Sequence, residues 1–137
     1  MNKINCSYLG DLKCVSTHLQ SGSKVITEAP LDHYGKGESF SPTDLLATSL
    51  GSCLLTIMAI KANMNGWELK NISLDIEKVM TRNNERKIKQ LKIDIYIPKD
   101  YSKEKINFIK NASEDCPVTR NLSKSLELQI NWHIQNE

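Results

Sequence analysis

Phe40–Asn63, FSPTDLLATSLGSCLLTIMAIKAN, reads as one helix with a defined start and almost no charge along its length. Ser41 suits the N-cap and Pro42 the first helical position. Asp44 lies where its carboxylate meets both the helix dipole and the cap's backbone N–H. From Leu45 to Ile60 no residue is charged, and apolar side chains recur on every side. A helix apolar all round is one that is covered all round. In a chain of 137 residues, sheets or a partner subunit must wrap it. The uncharged run of 16 residues falls short of the ~20 needed to cross a bilayer. Thr48, Ser49, Ser52 and Thr56 interrupt it, so a core helix is expected rather than a membrane span. Gly66 supplies the stop.

The flanks read mainly as strands. Residues 3–9 and 12–19 form two extended segments joined at Gly10-Asp11, a hairpin signal. Lys24–Glu28 is a third strand, and Leu31–Ser39 is a glycine-containing loop that carries His33. After the helix, Leu74, Ile76 and Met80 share one face of Glu68–Thr81, interrupted by Lys78. Leu91, Ile93, Ile95 and Ile97 alternate with polar residues through Lys89–Pro98. With Asn83-Asn84 as the turn, the two segments predict a half-buried antiparallel hairpin. Ser102 caps a second helix whose Ile106, Ile109 and Lys110 stripe runs toward Cys116. Pro117 breaks that helix or begins a short new one through Lys124. Leu126, Leu128, Ile130, Trp132 and Ile134 alternate to the end as a final strand. The order βββ-α-ββ-αα-β is α+β, without repeat or linker, and a single domain over 1–137 is expected.

Composition narrows the function classes. The 18 basic and 16 acidic residues are scattered singly, so no basic stripe supports nucleic-acid binding. The N-terminal MNKINCSYLG lacks the apolar run of a signal peptide, which points to the cytoplasm. Four cysteines in such a context are free or catalytic rather than a disulfide framework. None has C-x₂₋₄-C spacing and His18, His33 and His133 are dispersed, so no metal site is expected.

The chemistry therefore rests on Cys53 and Cys116. Cys53 shares a helical stripe with Leu46, Leu50, Ile57 and Ile60, where desolvation disfavours the thiolate. Cys116 sits at an N-cap position before Pro117, where unpaired N–H groups favour it, and Arg120 one turn on can add positive potential. A redox couple needs one sulfur to attack and another to resolve the sulfenic acid. The two lie 63 residues apart and can meet only through the fold. Cys6 and Cys14, on opposite arms of the first hairpin, are read as strand residues that could pair across it.

S-P-T-D-L-L-A-T-S-L-G-S-C before the long apolar helix, then D-C-P-V-T-R-N-L and a closing strand, resembles the OsmC/Ohr family over essentially the whole chain. The resemblance implies an intertwined homodimer in which antiparallel β-sheets wrap long central helices. It implies a thiol-dependent peroxidase without a cofactor, acting on organic hydroperoxides in oxidative-stress defence. Cys53 would attack the peroxide, Cys116 would resolve the sulfenic acid as a disulfide, and a dithiol would reduce it.

Two positions depart from the family pattern. OsmC/Ohr enzymes carry a glutamate immediately after the helix-opening proline, where this chain has Thr43. Asp44 follows, but nine residues before Cys53 it is half a helical turn out of phase and faces away. The same enzymes use an N-terminal arginine at the thiolate, and this chain has no arginine before Arg82. Lys24, His33 or Arg120 are the candidates to take its place. These departures keep two alternatives open: a non-enzymatic dimer binding a small apolar or thiol-containing ligand, and a redox sensor.

Overall fold

The structure, a computed structural model, describes residues 2–135. The chain forms two compact units, Met1–Leu46 and Ala47–Glu137, and their boundary falls within the long helix.

The first unit is an antiparallel meander of β1 (Ile4–Gly10), β2 (Lys13–His18) and β3 (Lys24–Glu28). Its first turn is centred one residue later than Gly10-Asp11. Gly10 pairs with Lys13, and Asp11 and Leu12 both take positive φ, as a two-residue hairpin loop requires. Cys6 stands opposite Ser16 and Cys14 opposite Tyr8, so the two thiols are diagonal neighbours rather than a cross-strand pair, and both are free. Beyond β3 the chain makes a 3₁₀ turn at Leu31–His33 and a loop closed on the strand's end. The buried Glu28 carboxylate accepts the N–H groups of Lys36 (3.0 Å) and Glu38 (3.2 Å).

The long helix α1 (Pro42–Met64) starts as its sequence requires. The Asp44 N–H donates to Ser41 Oγ (3.1 Å), and the Ser41 N–H donates to Asp44 Oδ2 (2.9 Å), a reciprocal capping box. α1 is long and apolar enough to cross a membrane by length and composition. In this fold its Ala47, Leu50, Leu54, Met58 and Ala62 stripe is buried, the first four in the core of the second unit. Among the described residues, Leu46 and Ile60 of this helix are exposed.

The rest of that unit is β4 (Ser73–Met80), β5 (Ile88–Ile97), α2 (Lys103–Ser113), α3 (Pro117–Arg120) and β6 (Glu127–Ile134). β4 and β5 form the expected antiparallel hairpin, and Leu91, Ile93, Ile95 and Ile97 are all fully buried. β4 begins at Ser73 rather than at Glu68, because Tyr101 engages the preceding backbone: its hydroxyl donates to the Lys70 carbonyl and accepts the Lys70 N–H. Ser102 caps α2 through the Lys105 N–H (3.1 Å), and Ile106 and Ile109 face the core. Lys110 departs from that stripe and sets its amine over the Trp132 ring. α3 stops at Arg120 instead of running to Lys124, with the Asn121 side chain donating to the Pro117 carbonyl.

The sheets are not all antiparallel. β6 pairs with β5 in parallel, Ile93 beside Ile130 and Ile95 beside Trp132. The helical crossover between the two strands brings the chain back to the starting edge, so the strand it delivers runs in the same direction.

Candidate functional site

The fold brings Cys53 and Cys116 together. Cys53 lies on α1, half-buried, while Cys116 is fully buried at the N-cap of α3 and belongs to the hydrophobic core. The two thiols are free and lie close enough to shift each other's ionisation. A shallow groove of about 330 Å³ opens at Cys53, lined by Ser49, Ser52, Thr56, Ile57 and Ile60 of α1 and by Pro117. The stripe expected around Cys53 is thereby split. Leu50 turns into the core, Leu46 and Ile60 are exposed, and Ile57 is half-buried.

The surroundings push the two thiols in opposite directions. For Cys53, burial is the leading influence and raises the pKa. Contact with Cys116 raises it further, against a smaller opposing pull from the Val118 backbone. For Cys116, burial also pushes upward, but it is outweighed. Cys53, the Thr119 side chain and the backbone N–H groups of Thr119 and Val118 together hold this thiol below its ordinary value. The Cys116 side chain closes no capping hydrogen bond at the start of α3.

The charged candidates are engaged elsewhere. Arg120 ion-pairs with Asp115, whose other carboxylate oxygen takes Lys61 Nζ at 3.1 Å. Those bonds, Lys61 first and then Arg120, hold the Asp115 carboxyl below its usual range. Thr43 bonds Ser41 Oγ, and Asp44 completes the capping box, so both shape the start of α1. In the first unit, Lys24 Nζ donates to Thr17 Oγ1 (3.0 Å), and the exposed His33 ring lies 5.1 Å from that of Tyr34. Among the described residues no cluster of three or more His, Cys, Asp or Glu side chains could hold a metal. Sequence reasoning missed Val118 and Thr119. The signal was present: a residue at an N-cap faces the N–H groups of the second and third helical positions, which after Pro117 are these two.

The OsmC-like protein family model matches residues 35–131. This chain belongs to the OsmC family. A protein from Psychrobacter arcticus, described as osmotic stress induced and a detoxification response protein, is 36% identical. The likeness covers 97% of this chain and 96% of that one, with a TM-score of 0.88. The OsmC fold is shared at lower identity by an organic hydroperoxide resistance protein from Legionella pneumophila, 16% identical with a TM-score of 0.72 over 97% and 96% of the two chains. An organic hydroperoxide resistance protein from Elizabethkingia anophelis is 11% identical with a TM-score of 0.71, over 98% of each chain. No curated protein matches this OsmC-family chain.

Proposed function

We propose that this OsmC-family protein is a cytoplasmic, cofactor-free thiol peroxidase that reduces organic hydroperoxides through Cys53 and Cys116. The observation that carries this reading is that two free thiols 63 residues apart lie close enough to shift each other's ionisation, one beside an open groove and the other buried. The difference in exposure supports the division of roles. Cys53 meets substrate: its sulfur attacks the distal peroxide oxygen, the O–O bond breaks, and an alcohol leaves with Cys53 as sulfenic acid. Cys116 then attacks the Cys53 sulfur, forming a disulfide and releasing water. Two thiols have been oxidised and one peroxide reduced. A dithiol returns both cysteines to the reduced state by thiol–disulfide exchange.

The working form is a homodimer of single-domain subunits. The exposed Leu46 and Ile60 on an otherwise uncharged helix face support a second copy covering what one chain leaves open. The test is consumption of cumene hydroperoxide with a small dithiol as reductant. Wild type turns over, whereas Cys53→Ser does not. Equal turnover by both would overturn the reading.

One observation favours a second reading. The groove is lined without a charged side chain, and burial pushes the Cys53 thiol up. A non-enzymatic site for a small apolar or thiol-containing ligand would show saturable binding that survives both cysteine substitutions, with no peroxide turnover.

A further inference from the structure

Packing and the ties of the neighbouring backbone set where the Cys116 sulfur lies, because its side chain closes no capping hydrogen bond. On one side the Arg120 N–H donates to the Cys116 carbonyl (3.3 Å), within α3. On the other the Asp115 N–H donates to the Ala112 carbonyl (3.2 Å), at the end of α2. Both bonds are local, and neither reaches α1, the helix that carries Cys53. A charge contact does reach it. Asp115, the residue directly before Cys116, sets one carboxylate oxygen 3.1 Å from Lys61 Nζ of α1 and gives the other to the Arg120 guanidinium. Lys61 follows Cys53 by eight residues, about 12 Å along the same helix. One carboxylate therefore joins α1, the turn after α2 and the end of α3, all within the second unit.

We propose that Asp115 is the positioning residue of the two-thiol couple, a clamp that holds the segment bearing Cys116 to the helix bearing Cys53 and so favours the disulfide over the dithiol. In the proposed peroxidase cycle, on which this role rests, Cys116 attacks the Cys53 sulfenic acid. The S–S bond forms, the S–O bond breaks, and the hydroxyl leaves with the Cys116 proton as water. Asp115 supplies no proton and no electron to that step. It restricts the Cys116 segment to arrangements near α1, so less freedom is lost when the bond closes.

Disulfide and ion pair span the same junction, so each favours the other by the same factor. Arg120 thereby has a role other than that of a cation for the Cys53 thiolate: it holds one carboxylate oxygen and leaves the other for Lys61. The two cations, Lys61 first, also keep the Asp115 carboxyl below its usual range. The Lys61 and Asp115 side chains are 35% and 42% exposed, so solvent screens the pair and its effect is several-fold rather than many orders of magnitude.

The experiment uses the full-length chain with Cys6 and Cys14 replaced by serine, and needs no peroxide. The Cys53–Cys116 dithiol and disulfide are equilibrated with reduced and oxidised dithiothreitol at pH 7 and counted by mass after alkylation. Two electrons and two protons pass between the protein and the dithiothreitol couple, so the ratio gives the protein's reduction potential. Asp115→Asn lowers the equilibrium constant for the disulfide about fivefold, a rise of about 20 mV in potential. Lys61→Met lowers it about threefold, and Asp115→Glu returns it to within about twofold of wild type. The double variant Lys61→Met/Asp115→Asn falls no further than Asp115→Asn alone. Raising salt from about 0.05 to about 0.5 M weakens the wild-type disulfide and leaves that of Asp115→Asn unmoved. Ser102→Ala, which uncaps the far end of α2, keeps the wild-type constant. A constant in Asp115→Asn within about 1.5-fold of wild type, or one moved as far by Ser102→Ala, would overturn the proposal. A wild type that forms no Cys53–Cys116 disulfide would overturn both the clamp and the couple. Failure of cumene hydroperoxide turnover with the Asp115→Asn shift intact would count against the peroxidase reading alone.

Discussion

Replacing Gly35 by alanine places a methyl group where the chain leaves no room. An ideal Cβ at this position lies 1.5 Å from the Ala29 carbonyl oxygen and 2.2 Å from its carbon. Both are backbone atoms, so no rotamer relieves the overlap and the loop after β3 must move away from the strand's end. The movement opens the Gly35 N–H bond to the Pro30 carbonyl (2.9 Å) and the two N–H bonds to the Glu28 carboxylate. A hydrogen bond to a charged acceptor is worth roughly 1.5–3 kcal/mol and a neutral one about 1 kcal/mol. Because the loop's opening lets Glu28 regain water, the lower end applies, and Gly35→Ala should cost about 3–4 kcal/mol. With a urea slope of about 2 kcal/mol per M, the midpoint falls by roughly 1.5–2 M. Amide exchange localises the effect: protection at Lys36 and Glu38 is lost, while the β4–β5 amides keep theirs. Glu28→Ala removes the same two acceptors, so the double variant should be far less than additive. A loss under about 1 kcal/mol with Lys36 and Glu38 still protected would refute the reasoning.

Other perturbations follow from the same geometry. Leu12 is an apolar residue at φ 62°, a conformation that costs an L side chain about 1–2 kcal/mol, so Leu12→Asn should stabilise the first hairpin by about 1 kcal/mol in thermal or urea unfolding. Ser41→Ala removes one half of the α1 capping box and should cost about 1 kcal/mol in the same assay. Asp115, depressed by Lys61 and Arg120, contributes stability that is present above the unfolded carboxyl value of about 3.9 and is lost as pH falls through its lower folded value. In Lys61→Met, a carboxyl NMR titration should show Asp115 moving back toward that value.

The capping box of α1, the β4–β5 hairpin and the α2 cap were all legible, because each depends on residues three or four apart or on strict alternation. The N-cap position of Cys116 was legible for the same reason. The parallel pairing of β6 was not: alternation in Leu126–Ile134 reports two faces of a strand and says nothing of its direction. The split of the Cys53 stripe was hidden too. When a helix is apolar on every side, periodicity cannot say which side meets the sheet, and only the packing turns Leu50 inward and leaves Ile60 exposed. Arg120 illustrates a third limit. Its position one turn after Cys116 was plain, but its closure onto Asp115 required the turn between α2 and α3 to be in place.

The most direct test of the two-thiol couple is intact mass and cysteine mapping after one equivalent of cumene hydroperoxide. The account predicts a loss of about 2 Da within seconds and a single disulfide joining the Cys53 and Cys116 peptides, with Cys6 and Cys14 still free. Unchanged mass, or oxidation confined to Cys6 and Cys14, would contradict it.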